Sequence, residues 1–107
     1  MVDQSSSRSE SRLLLFGYLK LRAASLRLMI DELVSVIDVS GQGMKIASSV
    51  PFIKGDLVLL ALADQKINAE VTWSFREKDR YYSGLILQEP YHIEGWLQDQ
   101  GYLFEEL

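Results

Sequence analysis

The chain has 107 residues, 48% of them hydrophobic, 24% charged and 10% aromatic, the make-up of one globular domain with little room for a second. It has no cysteine and a single histidine, His92, which excludes a disulfide scaffold, a thiol nucleophile and thiolate zinc sites and leaves little for a histidine cluster. The net charge of −4 is unevenly spread: residues 1–27 hold five basic and two acidic side chains, while the rest of the chain holds six basic and 13 acidic.

In chain order, residues 1–12 read as a flexible arm, with the serine-rich SSSRSES and no apolar residue between Val2 and Leu13. Order is expected from Leu13 onward, as one domain over 13–107. In LLLFGYLKLR, Leu15, Leu19 and Leu21 share one face of a strand and Lys20 and Arg22 the other. Ala23 to Glu32 fits either a short helix or a turn followed by more strand. Leu33 to Val39 is a β-branched run that ends in the turn-rich SGQG, and Met44 to Ile46 opens a short strand. After Pro51 and Gly55, the run LVLLALA reads as a strand buried on both faces. The clearest alternation then sets Ile67, Ala69, Val71, Trp73 and Phe75 against Asn68, Glu70, Thr72, Ser74 and Arg76. That places Trp73 and Phe75 in the core, with REKDR as a hairpin loop and YYSGLIL as the returning strand. Ile93, Trp96, Leu97 and Gln100 fall at helical spacing, so a short amphipathic helix over 91–100 is expected across one barrel mouth, anchored by Trp96. Short strands at regular spacing, followed by one helix, predict a mostly β fold, a small antiparallel β-barrel.

Two short patterns carry the chemistry. Arg8 and Arg12 stand four apart in RSESR, and Asp38, Ser40 and Gly43 stand in DVSGQG, twenty-six residues beyond Arg12. In that order and at that distance the pair resembles the PilZ domain family, whose signature is an RxxxR loop followed by D/N-x-S-x-x-G. Gly55 before the long apolar strand, AEVTW and SGLIL also sit where that family has its later strands, so the likeness runs over residues 8–98. It differs from many members in having Ser7, not arginine, before Arg8, and in running straight from Arg12 into LLLF. The resemblance implies a six-stranded antiparallel PilZ-type β-barrel with a C-terminal α-helix that binds cyclic di-GMP. Arg8 and Arg12 would clamp the ligand, and Asp38, Ser40 and Gly43 would form its floor.

The residue types suit that ligand on chemical grounds. The planar fork of arginine matches the O6 and N7 acceptors of guanine and can also bridge to phosphate. A carboxylate at Asp38 accepts from the N1 and N2 protons of a guanine edge, or from the backbone of its own turn. Ser40 offers a hydroxyl donor to phosphate or base, and the glycines a sharp turn or a close approach. Four or five charge-assisted bonds, less the roughly 2–5 kcal/mol needed to order an arm, predict micromolar affinity, about 8 kcal/mol.

A binding protein with no cofactor is therefore expected rather than an enzyme, since no nucleophile–base pair or metal cluster is visible. Its partners would be cyclic di-GMP and an unidentified effector protein, with motility, exopolysaccharide or biofilm control implied by the family alone. The alternative is a PilZ-like interaction module of pilus or motor assembly that binds no nucleotide. An acidic body argues against a nucleic-acid polymer, and a third possibility, a barrel for single strands, requires exposed aromatics interleaved with basic residues. Arg22 and Arg27 read as solvated strand charges, Glu105 and Glu106 as a solvated terminus, and His92 carries no assigned role. No apolar run reaches the roughly 18 residues that span a bilayer and no signal-peptide core is present, so a cytoplasmic protein without membrane insertion is expected.

Overall fold

The computed structural model describes residues 11–62, 65–88, 93–99, 101 and 105–106, although not every side chain among them. Seven strands follow in order: β1 (Ser11–Ser25), β2 (Ile30–Ser40), β3 (Gly43–Ser48), β4 (Leu57–Leu62), β5 (Gln65–Glu77), β6 (Arg80–Leu87) and β7 (Glu105–Glu106). All pairings are antiparallel; neighbours run β2-β3-β6-β5-β4-β1-β7, and β1 also pairs with β2. That last pairing closes six strands into a barrel and leaves β7 outside it. Closure removes the free edges that a six-stranded sheet would otherwise expose.

The barrel interior is a single cluster in which Val34, Val36, Val39, Ile46, Leu60 and Val71 are fully buried among further aliphatic side chains. Each such burial contributes about 1.5–3 kcal/mol. Leu15 and Leu21 face this core with Leu19 packed partly against it, while Lys20 and Arg22 are exposed, which is the division of faces their alternation predicts. The ambiguous stretch 23–32 is strand, turn and strand. β1 runs to Ser25, the Met29 amide donates to the Leu26 carbonyl at 3.2 Å, and β2 starts at Ile30. The segment Ile93–Asp99 follows β6, with Ile93 and Leu97 buried in the core. The Trp96 side chain and His92 lie outside the described residues.

Three sequence expectations are corrected. The run LVLLALA is not buried on both faces: Val58 and Leu60 point inward while Leu57 and Leu59 lie on the outer wall. β4 is therefore an ordinary half-buried barrel strand whose outward positions happen to be apolar. Trp73 and Phe75 are not core, being 40% and 47% exposed. Between Val71 and Trp73 the β5–β6 register slips by one residue, and one inserted residue reverses the inside–outside alternation beyond it. The REKDR loop is tighter than expected, since β5 and β6 continue to Glu77 and Arg80 and only Lys78 and Asp79 turn, with Lys78 at φ 59°.

Arg22 and Arg27 are engaged rather than simply solvated. Arg22 Nε donates to Asp31 Oδ1 at 3.1 Å in an exposed pair. Arg27 grips the buried Asp56 with two bonds, Nε to Oδ1 at 2.6 Å and Nη2 to Oδ2 at 3.0 Å, and Nη2 also donates to the Pro51 carbonyl at 3.1 Å. The Arg27 guanidinium holds the Asp56 carboxyl below its ordinary range despite partial burial, helped by the Ile53 amide, which donates to Oδ2 at 2.9 Å. The same bond raises the Arg27 pKa.

Candidate functional site

The DVSGQG segment is the turn joining β2 to β3. Ser40 pairs with Gly43, so Gly41 and Gln42 alone form the loop, and Gly41 takes φ 58° at the position where a two-residue hairpin turn favours glycine. A second register slip, between Val36 and Asp38, marks a bulge just before the turn. It lets Val39 stay buried while Asp38 and Ser40 line a pocket on the outer wall.

That pocket, about 480 Å³, is lined by Asp38, Ser40, Gly43 and Lys45 on one side and by Trp73 and Gly84 on the other. The register explains the grouping. Asp38 pairs with Lys45, Lys45 with Gly84, and Gly84 with Trp73, a single row across β2, β3, β6 and β5. The Trp73 indole lies flat over Gly84, where any Cβ would overlap its ring. Thr72, the residue inserted at the β5 bulge, donates from Oγ1 to the Gly84 carbonyl at 3.2 Å and so ties the bulge to β6.

The indole is the first of three stacked rings on the outer wall. Trp73 and Phe75 have centroids 5.7 Å apart and planes within 10°, and Phe75 and Tyr82 are 5.5 Å apart at 29°. Lys45 Nζ sits 5.7 Å from the Tyr82 centroid, and the Arg76 guanidinium 5.9 Å from that of Tyr81. The site therefore combines an aromatic platform, a cation and a carboxylate. Those groups stack on a base, meet an anion and accept from a base edge, respectively.

Of the five sequence-predicted site residues, Asp38, Ser40 and Gly43 come together in this pocket. Arg8 lies outside the described residues. Arg12 lies in β1, its backbone paired with Glu105 of β7, and its side chain is not described. Its strand nevertheless runs beside the turn: Leu13 pairs with Val39 and Leu14 with Asp38. Arg12 thus stands one residue before the β1–β2 pairing that meets the DVSGQG segment.

Trp73 and Lys45 are two of the lining residues that the sequence motifs do not include. Trp73 was hidden by the β5 bulge. Lys45 had a legible signal, as a charge that alternates outward two residues after Gly43 beside buried Met44 and Ile46. A larger hollow of about 600 Å³ lies elsewhere on the barrel, lined by Leu26, Met29, Leu57 and Leu59 among others and by no basic side chain, so it offers no counter-charge to an anionic ligand. Among the described residues no cluster of His, Cys, Asp or Glu could hold a metal ion, and no helix is long and apolar enough to cross a membrane. No family model, curated protein or solved structure matches the chain.

Proposed function

We propose that the chain is a PilZ-type barrel that binds cyclic di-GMP on its outer wall, between the Asp38–Gly43 turn and Trp73, and passes the signal to a protein partner. The observation that carries this reading is the adjacency of two segments far apart in sequence. The strand bearing Arg12 lies against the one bearing Asp38 and Ser40, and Asp38 and Ser40 line a pocket floored by Gly84 and walled by the Trp73 indole.

Each group then has a task that the ligand's chemistry requires. Trp73 stacks on one guanine, a contribution of about 1–3 kcal/mol. Asp38 accepts from the N1 and N2 protons of that guanine, and Ser40 donates to a phosphate or base oxygen. Lys45 and the arginines Arg8 and Arg12 balance the two phosphodiester charges, the arginines also matching the Hoogsteen edge. The C-terminal helix over 91–100 belongs to the same reading, with buried Ile93 and Leu97 as its inward edge. With no nucleophile–base pair proposed, the output is a change of exposed surface rather than a reaction.

One observation favours a second reading. The ladder of Trp73, Phe75 and Tyr82 beside Lys45 and Arg76 is the interleaving of aromatic and basic groups that single-stranded nucleic acid requires. The acidic body weighs against it, because polymer binding depends on displacing counterions over several phosphates. Calorimetric titration separates the two readings. Cyclic di-GMP is expected to bind at micromolar Kd, with Arg12→Ala and Asp38→Ala each weakening it tenfold or more, about 1.4 kcal/mol. Binding of an oligonucleotide with no response to cyclic di-GMP would select the second reading.

A further inference from the structure

We propose that the outer face formed by β1, β4 and β5 is an interface between two copies of this chain, related by a two-fold axis along the row Ala24, Leu59, Asn68. This face adjoins the Asp38 pocket through Glu70, which pairs with the lining residue Ile86, but the inference does not depend on nucleotide binding.

The first observation is the apolar character of the face. Leu26 is 86% exposed, Met29 84%, Leu57 64% and Leu59 37%, and all four line one hollow of about 600 Å³. Leu33, 54% exposed, stands outward on the neighbouring strand β2, and several large apolar side chains grouped in the open mark an interaction surface. Met29 adds weight. It holds φ 56°, a left-handed conformation in which glycine or asparagine costs less, yet an apolar side chain stands there in the open.

The second observation identifies the occupant as another copy. Across the face, Ala24 pairs with Leu59 and Leu59 with Asn68; one row to one side Arg22 pairs with Ala61 and Ala61 with Lys66; one row to the other Leu57 pairs with Glu70. Lys66 and Glu70 thus stand on the outer side of β5, two residues either side of Asn68, with Ala69 buried between them. A two-fold axis along the Asn68 row keeps positions along the row and inverts positions along the strands. It sets Lys66 of each copy against Glu70 of the other, giving two ion pairs from one operation. The same axis brings the protruding Leu57 over Ala61, where a shallow hollow of about 110 Å³ lies between Arg22 and Lys66. Leu57 meets the small Ala61 and Lys66 meets Glu70, while Arg22, already neutralised by Asp31, lays its aliphatic stem against Leu26 of the other copy. A face that complements itself in both shape and charge is what an isologous dimer requires.

The test is sedimentation equilibrium of the full chain without nucleotide, over a concentration series reaching about 1 mM. A monomer–dimer equilibrium is expected. Lys66→Glu alone and Glu70→Lys alone should each raise the dimer Kd tenfold or more, since each places like charges opposite one another twice. The double variant K66E/E70K should restore the wild-type Kd to within a few-fold, because the pairs re-form with reversed sign. Both positions lie on the outer wall, and matching thermal melts of the single variants exclude misfolding. A chain monomeric throughout the series, as expected if this face serves a different protein, overturns the proposal. So does a double variant no better than the singles.

Discussion

Thr72 decides where Trp73 points. Without the inserted residue, the alternation through Ala69 and Val71 would carry Trp73 and Phe75 into the barrel, where an apolar count of the strand expects them. The difference is measurable. A core tryptophan replaced by alanine costs about 3–5 kcal/mol of stability, whereas Trp73→Ala on the outer wall should cost well under half of that in a urea melt. The same variant should weaken cyclic di-GMP by about 1–3 kcal/mol, the range for a stacked base. Gly84→Ala tests the floor from the other side: its Cβ must displace the indole, so nucleotide affinity should fall tenfold or more while β6 still pairs. Unchanged affinity for both variants would remove Trp73 from the site.

Among the elements, the β1–β2 turn and the loop preceding β4 are joined by Arg27 and Asp56. The carboxylate is buried and accepts from both the guanidinium and the Ile53 amide, so its pKa is lowered on folding. A group depressed in the folded state stabilises fully above its unfolded value near pH 4 and loses that contribution as the pH falls through the folded value. Asp56→Asn should therefore cost about 1–3 kcal/mol near neutral pH and progressively less as the pH falls below about 4, by urea melts at each pH. A cost that does not vary with pH would mean that packing, not charge, holds the loop. Strand positions were legible wherever alternation ran unbroken, as at Leu19 and Leu21 or Val58 and Leu60. They were not legible past the bulges in β2 and β5, because an inserted residue leaves no mark in composition. Nor does sequence mark Met29 and Lys78 as left-handed, since neither is a usual residue there.

For the whole molecule, a small antiparallel barrel was legible in short apolar runs at regular spacing, whereas the count of six strands was only what the family resemblance implied; closure leaves those six with no free edge. The spacing of the two motifs held no mark of strand pairing; β1–β2 pairing sets Leu13 beside Val39 and Leu14 beside Asp38. The outer wall was not legible. Which apolar residues a barrel leaves outside depends on register, and Leu57, Leu59 and the aromatic ladder all depend on it. The most direct measurement is an amide and indole chemical-shift titration with cyclic di-GMP. The account predicts saturable shifts at Asp38 to Lys45, at Gly84 and at the Trp73 indole proton, with the Leu57 and Leu59 amides unmoved. No shift at saturating ligand, or shifts centred on β4 instead, would contradict it.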